Sequence, residues 1–185
     1  MHIYNESYLL TNEINEKIKK NILKFKKIKI IYYNPNELNH KKIYLEKCKK
    51  MQIFCKKNNI KFFVSNDYRL AVELNCAGIF LTNFKNNKNF TNQNKMFEII
   101  GRAHNQSEYS FFKTQGCSTI MLSPIFYNKK YSLNRIINPI RFNLISNNWR
   151  TKIIALGGIN LKNINKIKLL KKNTAIAFAD LINQL

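Results

Sequence analysis

Acidic side chains are scarce in this sequence. Its 185 residues include 10 Asp plus Glu against 32 Lys plus Arg, which gives a formal net charge of +22. Such a charge attracts phosphates, nucleic acid and anionic membrane surfaces. However, the lysines are spread over many Asn- and Ile-rich segments, which favours a compositional bias with a solvated basic coat. Since no segment matches a named nucleic-acid-binding module, nucleic-acid binding is a remote alternative.

Paired cysteines and long apolar runs are also missing. The four cysteines form no Cys-x-x-Cys pair and have no histidine at zinc-ligand spacing, so we expect reduced, mostly buried thiols. The first residues lack a positive segment followed by an apolar one, and no apolar run approaches roughly 18 residues. These absences favour a cytoplasmic, soluble protein without a membrane contact.

The sequence does contain a regular alternation of short apolar runs and amphipathic, Lys-rich segments, which is typical of βα units and a parallel sheet. Strands are predicted at residues 8–11, 28–33, 62–65, 77–81, 96–103, 118–123, 152–156 and 174–179. Helices are predicted at residues 12–24, 40–58, 68–74, 106–115, 161–172 and 181–185, with a further helix ending at 148 and a polar loop at 82–95.

Two helices have predicted apolar stripes at helical spacing. The stripe of the first helix contains Ile14, Ile18, Ile22 and Leu23, and that of the second contains Ile43, Cys48, Met51 and Phe54. Eight such units predict an α/β fold, a small single-domain (β/α)8 TIM barrel over residues 1–185 with minimal loops and a short last helix. A doubly wound open sheet is the alternative fold. Because the last helix is short, the first helix or a second copy of the chain is expected to cover the final strand.

In a barrel, the ligand site lies at the carboxyl ends of the strands. The only two aspartates, Asp67 and Asp180, both fall there. A helix N-cap is the alternative role for each, and capping does not prevent ligand binding. Because Mg²⁺ often takes only one or two protein carboxylates and fills its shell with water and phosphate oxygens, Asp67 is the candidate metal ligand.

Two further features at strand ends point to phosphate. Gly157 and Gly158 follow the seventh strand, where the backbone can approach a phosphate without a Cβ atom in the way; a simple turn is the alternative. Lys129 and Lys130 follow the sixth strand and carry positive charge toward the same rim, unless they form only a solvated loop. His104 follows the fifth strand as a possible acid or base, although a lone histidine is more often a polar loop residue.

Six short motifs resemble the thiamine phosphate synthase/TenI family in order and approximate spacing. They are YLLT at 8–11, SND at 65–67, AGIFL at 77–81, IGRAH at 100–104, SPIF at 123–126 and ALGGI at 155–159. The resemblance extends over nearly the whole chain. It implies a barrel enzyme that joins an aminopyrimidine diphosphate to a thiazole phosphate, with Mg²⁺, and releases diphosphate.

The resemblance also implies roles for individual residues. Asn66 matches a diphosphate-binding Asn, Asp67 a Mg²⁺ ligand, Gly157 and Gly158 the thiazole-phosphate turn, and Lys129 or Lys130 a lysine that contacts diphosphate. The chain departs from the family pattern at several positions on the rim. Asn34 replaces an Arg, Phe84 and Lys85 fall near a second carboxylate, Ala103 and Asp180 replace Ser, and residues 127–130 replace a Thr-rich loop.

These departures leave more than one function open. Lys85, Lys129, Lys130 and Arg102 are available to compensate for lost phosphate contacts. The alternatives are a TenI-like thiazole tautomerase, in which His104 carries a proton, and a barrel that binds a ligand without catalysis.

Overall fold

Each strand of the protein pairs with the next one along the chain, and the last pairs with the first. In the computed structural model, the described residues are 6–25, 27–34, 41–82, 97–129, 132–172, 174–179 and 181–185. The strands are β1 (Ser7–Thr11), β2 (Ile28–Tyr32), β3 (Lys61–Ser65), β4 (Gly78–Leu81), β5 (Glu98–Ala103), β6 (Thr119–Leu122), β7 (Lys152–Leu156) and β8 (Ala175–Phe178). All eight pairings are parallel, so the sheet closes into a barrel.

Helical segments cover the outside of this barrel. The α-helices are α1 (Glu16–Ile22), α2 (Lys41–Lys57), α3 (Tyr68–Glu73), α4 (Gln106–Thr114), α5 (Pro139–Asn148) and α6 (Leu181–Gln184). Two 3₁₀ helices span Leu133–Arg135 and Ile164–Leu169. The predicted (β/α)8 barrel is therefore confirmed, and the open sheet is wrong. The predicted loop at 82–95 falls, apart from Thr82, outside the described residues.

The apolar side chains form two layers, one on each face of the closed sheet. Side chains that alternate along the strands fill the barrel interior, among them Leu10, Ile31, Phe63, Phe80, Ile100, Met121 and Ile154. The intervening strand side chains face outward, among them Ile30, Phe62, Ile79 and Ile120, and pack against helix residues such as Phe112 of α4. Both layers consist of buried apolar side chains, so we expect a polar ligand site at an end of the barrel.

An ionic network fills the amino-terminal end of the barrel. Lys29 Nζ lies 2.7 Å from Glu6 Oε1 and 2.8 Å from Glu98 Oε2, and Lys152 pairs with the other oxygen of Glu6. Thr119 donates to Glu98 at 3.1 Å. Burial opposes ionisation of Glu6, but hydrogen bonds from Lys152 and Lys29 outweigh it and lower its pKa to about 2. The two carboxylates and two ammonium groups neutralise one another, which makes this end structural.

The helix stripes differ from the predicted ones by a rotation of the helix face. In α2 the buried side chains are Tyr44, Cys48, Met51 and Cys55, whereas Ile43 is 49% exposed. In α1, Ile18 and Ile22 are buried as predicted and Leu23 is 58% exposed. A one-residue error in the stripe turns a side chain by about 100° around the helix axis, which is enough to move it from the core to solvent.

The helix predicted at 161–172 is instead a short 3₁₀ helix, Ile164–Leu169. Asparagine side chains explain the difference, because they occupy backbone groups that an α-helix needs. Asn163 donates to the Gly158 carbonyl at 2.7 Å and accepts from the Asn160 amide at 3.0 Å, while Asn160 accepts from the Lys162 amide. Such local bonds compete with helix formation. None of the helices in the described part of the chain is both long and apolar enough to cross a membrane.

Candidate functional site at the carboxyl rim of the barrel

The carboxyl ends of the strands share one rim, because all eight strands run in the same direction. Loops on that rim carry the ligand site in barrels of this kind. The predicted site residues at strand ends or in rim loops are Asn34, Asn66, Asp67, Ala103, Lys129, Gly157 and Gly158. Lys130, Asp180 and Lys85 lie outside the described residues.

Asn66 is clamped to the neighbouring strand end. Its Nδ2 donates to Thr82 Oγ1 at 2.8 Å, and its Oδ1 accepts from the Thr82 amide at 2.9 Å. Its own amide donates to the Phe80 carbonyl at 2.9 Å. The backbone of Asn66 has a φ of 57°, in the left-handed region that Asn tolerates better than most residues. The clamp thus fixes the side chain on the rim between β3 and β4.

Asp67, the next residue, is the N-cap of α3. Its Oδ1 accepts from the Leu70 amide at 3.0 Å, which satisfies one of the unpaired donors of the helix start. The carboxylate is half-buried, and the cap takes up one of its two oxygens. No group of three His, Cys, Asp or Glu side chains that suits a metal occurs among the described residues. Asp67 therefore fits a cation only if a ligand supplies most of the other oxygens.

His104 and Ser123 meet on the rim between β5 and β6. His104 Nδ1 lies 2.7 Å from the carbonyl oxygen of Ser123 and 3.2 Å from its Oγ. Because a carbonyl oxygen can only accept, Nδ1 carries the hydrogen and Nε2 is the basic nitrogen. Nδ1 is therefore no base for the Ser123 hydroxyl. The pair positions the imidazole ring rather than activating a serine nucleophile.

Gly157 and Gly158 join the loops that follow β6 and β7. Their φ angles are 98° and 74°. A Cβ atom on Gly158 would lie 2.3 Å from the Phe126 carbonyl oxygen and 2.6 Å from that of Tyr127. The Phe126 amide in turn donates to the Gly157 carbonyl at 3.0 Å. The glycines thus allow close approach of two backbone segments, in addition to any role in phosphate binding.

The remaining predicted site residues differ in their exposure to solvent. Lys129 is exposed on the loop after β6, and Asn34 is half-buried after β2. Ala103 is fully buried in the outer layer, so its methyl group faces the helices rather than the rim.

The cysteines are unsuited to act as nucleophiles. Among the described residues, all four are free and buried, as predicted. Burial raises the pKa of Cys55, Cys76 and Cys117 to about 12. Because the thiolate is the reactive form, these thiols are inert near neutral pH.

Sequence reasoning missed three side chains on the rim: Tyr33, Thr82 and Ser123. Thr82 directly follows the predicted strand at 77–81, and Ser123 ends the predicted strand at 118–123, so both had the positional signal used for Asp67. Tyr33 was counted as part of a strand. Its ring instead packs edge-on against Phe80 above the barrel interior, with centroids 6.0 Å apart.

Comparisons with known proteins agree with this architecture. Thiamine phosphate pyrophosphorylase from Pyrococcus furiosus superposes with a TM-score of 0.67 and 15% identity, covering 95% of this chain and 85% of that one. The YdjI aldolase from Escherichia coli K12 superposes with a TM-score of 0.62 and 10% identity, covering 98% and 77%. At these identities the likeness shows the fold alone, and the two names show that the fold hosts different reactions.

Sequence comparison is more specific. No curated protein sequence matches the chain significantly. The family model described as thiamine monophosphate synthase matches residues 3–179, which is nearly the whole chain. The chain therefore belongs to the thiamine monophosphate synthase family.

Proposed function

We propose that the chain is a thiamine phosphate synthase-like transferase that joins an aminopyrimidine diphosphate to a thiazole phosphate and releases diphosphate. The observation that carries the proposal is the family match over residues 3–179. The rim position of Asn66 and Asp67 supports it, since these residues match the implied contacts to diphosphate and Mg²⁺.

The reaction requires little proton transfer from the protein. The bond between the pyrimidine methylene carbon and diphosphate breaks, and its electron pair leaves with the diphosphate. The thiazole nitrogen then donates its lone pair to the methylene carbon and becomes cationic. Catalysis of this kind depends on holding the departing anion and aligning the nucleophile. Among the described residues the rim carries the cations Arg102 and Lys129 and no activated serine or cysteine, which suits that task.

Asn66 and Asp67 form the diphosphate side of the proposed site. The Thr82 clamp orders the Asn66 amide before a ligand arrives, which lowers the entropy cost of binding. Asp67 has the oxygen chemistry that Mg²⁺ prefers, with diphosphate oxygens and water completing the shell. When bound there, Mg²⁺ neutralises charge on the leaving diphosphate.

The loops after β6 and β7 form the proposed thiazole-phosphate side. Gly157 and Gly158 bring the two loops together. The exposed Lys129, on the loop after β6, is proposed to contact the diphosphate. By its position in the sequence, Lys130 is the alternative diphosphate contact, and Asp180 belongs to the phosphate site of the thiazole. Asn34 is proposed as a polar contact on the β2 side.

A TenI-like thiazole tautomerase is the second candidate, and the placement of His104 favours it. The Ser123 carbonyl fixes the ring so that Nε2 is the basic nitrogen. A fixed imidazole on the ligand rim is suited to moving a proton.

Magnesium-dependent turnover tests the principal proposal. The purified protein is given both substrates, and thiamine phosphate and diphosphate are quantified across a Mg²⁺ titration. Asp67→Asn keeps the helix cap and removes the charge, so we expect normal stability and a loss of Mg²⁺-dependent turnover. Glu46→Gln removes a carboxylate charge from an exposed position on α2 and is the matched control with retained turnover.

Equal magnesium dependence in the wild type and Asp67→Asn would contradict the metal assignment. Absence of product from folded wild type, with interconversion of thiazole tautomers that His104→Gln abolishes, would instead establish the second candidate.

A further inference from the structure

Arg102 places a cation over the apolar interior of the barrel, on the rim side. It lies two residues after Ile100 on β5, so both side chains are on the same face of the sheet, and Ile100 belongs to the inner layer. Its Cζ lies 5.6 Å from the centroid of the Tyr33 ring, and that ring contacts Phe80. The guanidinium group therefore extends across the mouth from β5 toward the β2 and β4 side, on which Asn66 also lies.

The described residues give this guanidinium few hydrogen-bond acceptors. Its contact with a hydrogen-bond acceptor is a long one, 3.4 Å from Nη1 to the Tyr33 hydroxyl. Its Nε is buried and has no partner among the described residues. The ion pairs of the described residues involve lysines and do not include Arg102. Buried donors are nearly always paired, so an exception calls for an explanation.

Lys29, at the other end of the barrel, shows the contrast. It lies close to two carboxylates, at 2.7 and 2.8 Å, and so is fully paired within the protein. Both cations are carried by barrel strands, yet only the one at the ligand rim lacks an anion among the described residues. A planar guanidinium with unused donors is suited to bidentate contact with phosphate oxygens.

We propose that Arg102 anchors the diphosphate group of the substrate in the mouth of the barrel, with the Tyr33 ring as the platform for its guanidinium. The inference rests on the proposed function for the identity of the substrate. The anchor itself requires only a phosphate anion. The Arg102 guanidinium extends toward the side on which Asn66 lies, so we assign Arg102 to the diphosphate rather than to the phosphate beside Gly157.

Binding of inorganic pyrophosphate tests the anchor without any reaction. Isothermal titration calorimetry compares the pyrophosphate affinity of the wild type with that of Arg102→Gln, which removes the positive charge and the parallel N–H donors of the guanidinium. Arg150→Gln is the matched control, because it removes the same charge from an exposed residue before β7, at the opposite end of the barrel. We expect pyrophosphate binding to weaken at least about tenfold in Arg102→Gln and less than about twofold in the control. Equal affinities of the two variants would overturn the proposal.

A second measurement uses only the wild type and so avoids any folding defect of a variant. Phenylglyoxal modifies accessible arginines, and mass spectrometry reports each of them separately. Pyrophosphate is expected to protect Arg102 while Arg150 and Arg141 react as before. Unchanged modification of Arg102 at saturating pyrophosphate would refute the anchor. Because neither experiment needs turnover, a protein without synthase activity can still pass both, and an active synthase can fail both.

Discussion

Gly158→Ala is predicted to destabilise the protein by pushing two rim loops apart. The new Cβ would lie 2.3 Å from the Phe126 carbonyl oxygen and 2.6 Å from the Tyr127 carbonyl oxygen, and both are backbone atoms that cannot rotate away. The φ of 74° adds about 1–2 kcal/mol for a residue with a Cβ. Overpacking adds about 1–3 kcal/mol, so the sum is about 2–5 kcal/mol.

Gly157→Ala is the matched control for the cost of placing a residue with a Cβ atom at a positive φ. Its φ of 98° is also left-handed, but its new Cβ would meet the nearest atoms, Cα and Cβ of Pro124, at 3.1 Å. A shift of a few tenths of an ångström relieves such a contact. We therefore expect Gly158→Ala to be less stable than Gly157→Ala by at least about 1 kcal/mol, the lower bound of the overpacking cost.

Thermal unfolding followed by circular dichroism measures the difference. For a domain of this size, 1 kcal/mol corresponds to a shift in Tm of about 2–4 °C, so Gly158→Ala is expected to unfold about 4–20 °C below the wild type. Equal Tm values for the two variants would refute the reasoning, because they would show that the loops after β6 and β7 are not held together through Gly158.

Three further predictions concern the ends of the barrel. Lys29→Met leaves Glu98 without its cation and is expected to cost about 3–5 kcal/mol in urea unfolding, while Lys29→Arg costs less. Since the folded pKa of Glu6 is about 2, its stabilising contribution is present above pH 4.5 and lost as the pH falls toward 2. After allowance for solvent screening this contribution is about 1–2 kcal/mol. If Glu6→Gln lost as much unfolding free energy as the wild type over this pH range, the assignment to Glu6 would be contradicted. Asn66→Ala removes two hydrogen bonds to Thr82 and is expected to cost about 2–3 kcal/mol; Asn66→Gly, which relieves the positive φ, should cost less, and equal losses would rule out the strain contribution.

The strands were predictable because their signal is local. A short apolar run bounded by polar residues predicts a strand, and the predicted span 152–156 coincides with β7, Lys152–Leu156. Eight such runs in alternation with amphipathic segments leave few topologies. The helix faces were less accessible, since the choice between Ile43 and Tyr44 depends on where α2 begins and which face meets the sheet.

The contacts of the candidate site could not be predicted from the sequence, because they join residues of different loops. Sequence position placed Asn66 at a strand end, but the bond to Thr82 requires that β3 and β4 be neighbours in register. The fit of Gly158 against Phe126 depends in the same way on the paths of two loops. The sequence named Arg102 as one of four cations available for phosphate, but its position on the rim beside Tyr33 depends on the closed barrel.

The formation of thiamine phosphate by the wild-type protein tests the central claim most directly. The protein is incubated with Mg²⁺ and with either or both of the aminopyrimidine diphosphate and the thiazole phosphate, and products are identified by mass spectrometry. The account predicts thiamine phosphate and diphosphate in equal amounts, and only when both substrates are present. Folded protein that binds pyrophosphate yet forms no thiamine phosphate would contradict the claim that this barrel is a working synthase.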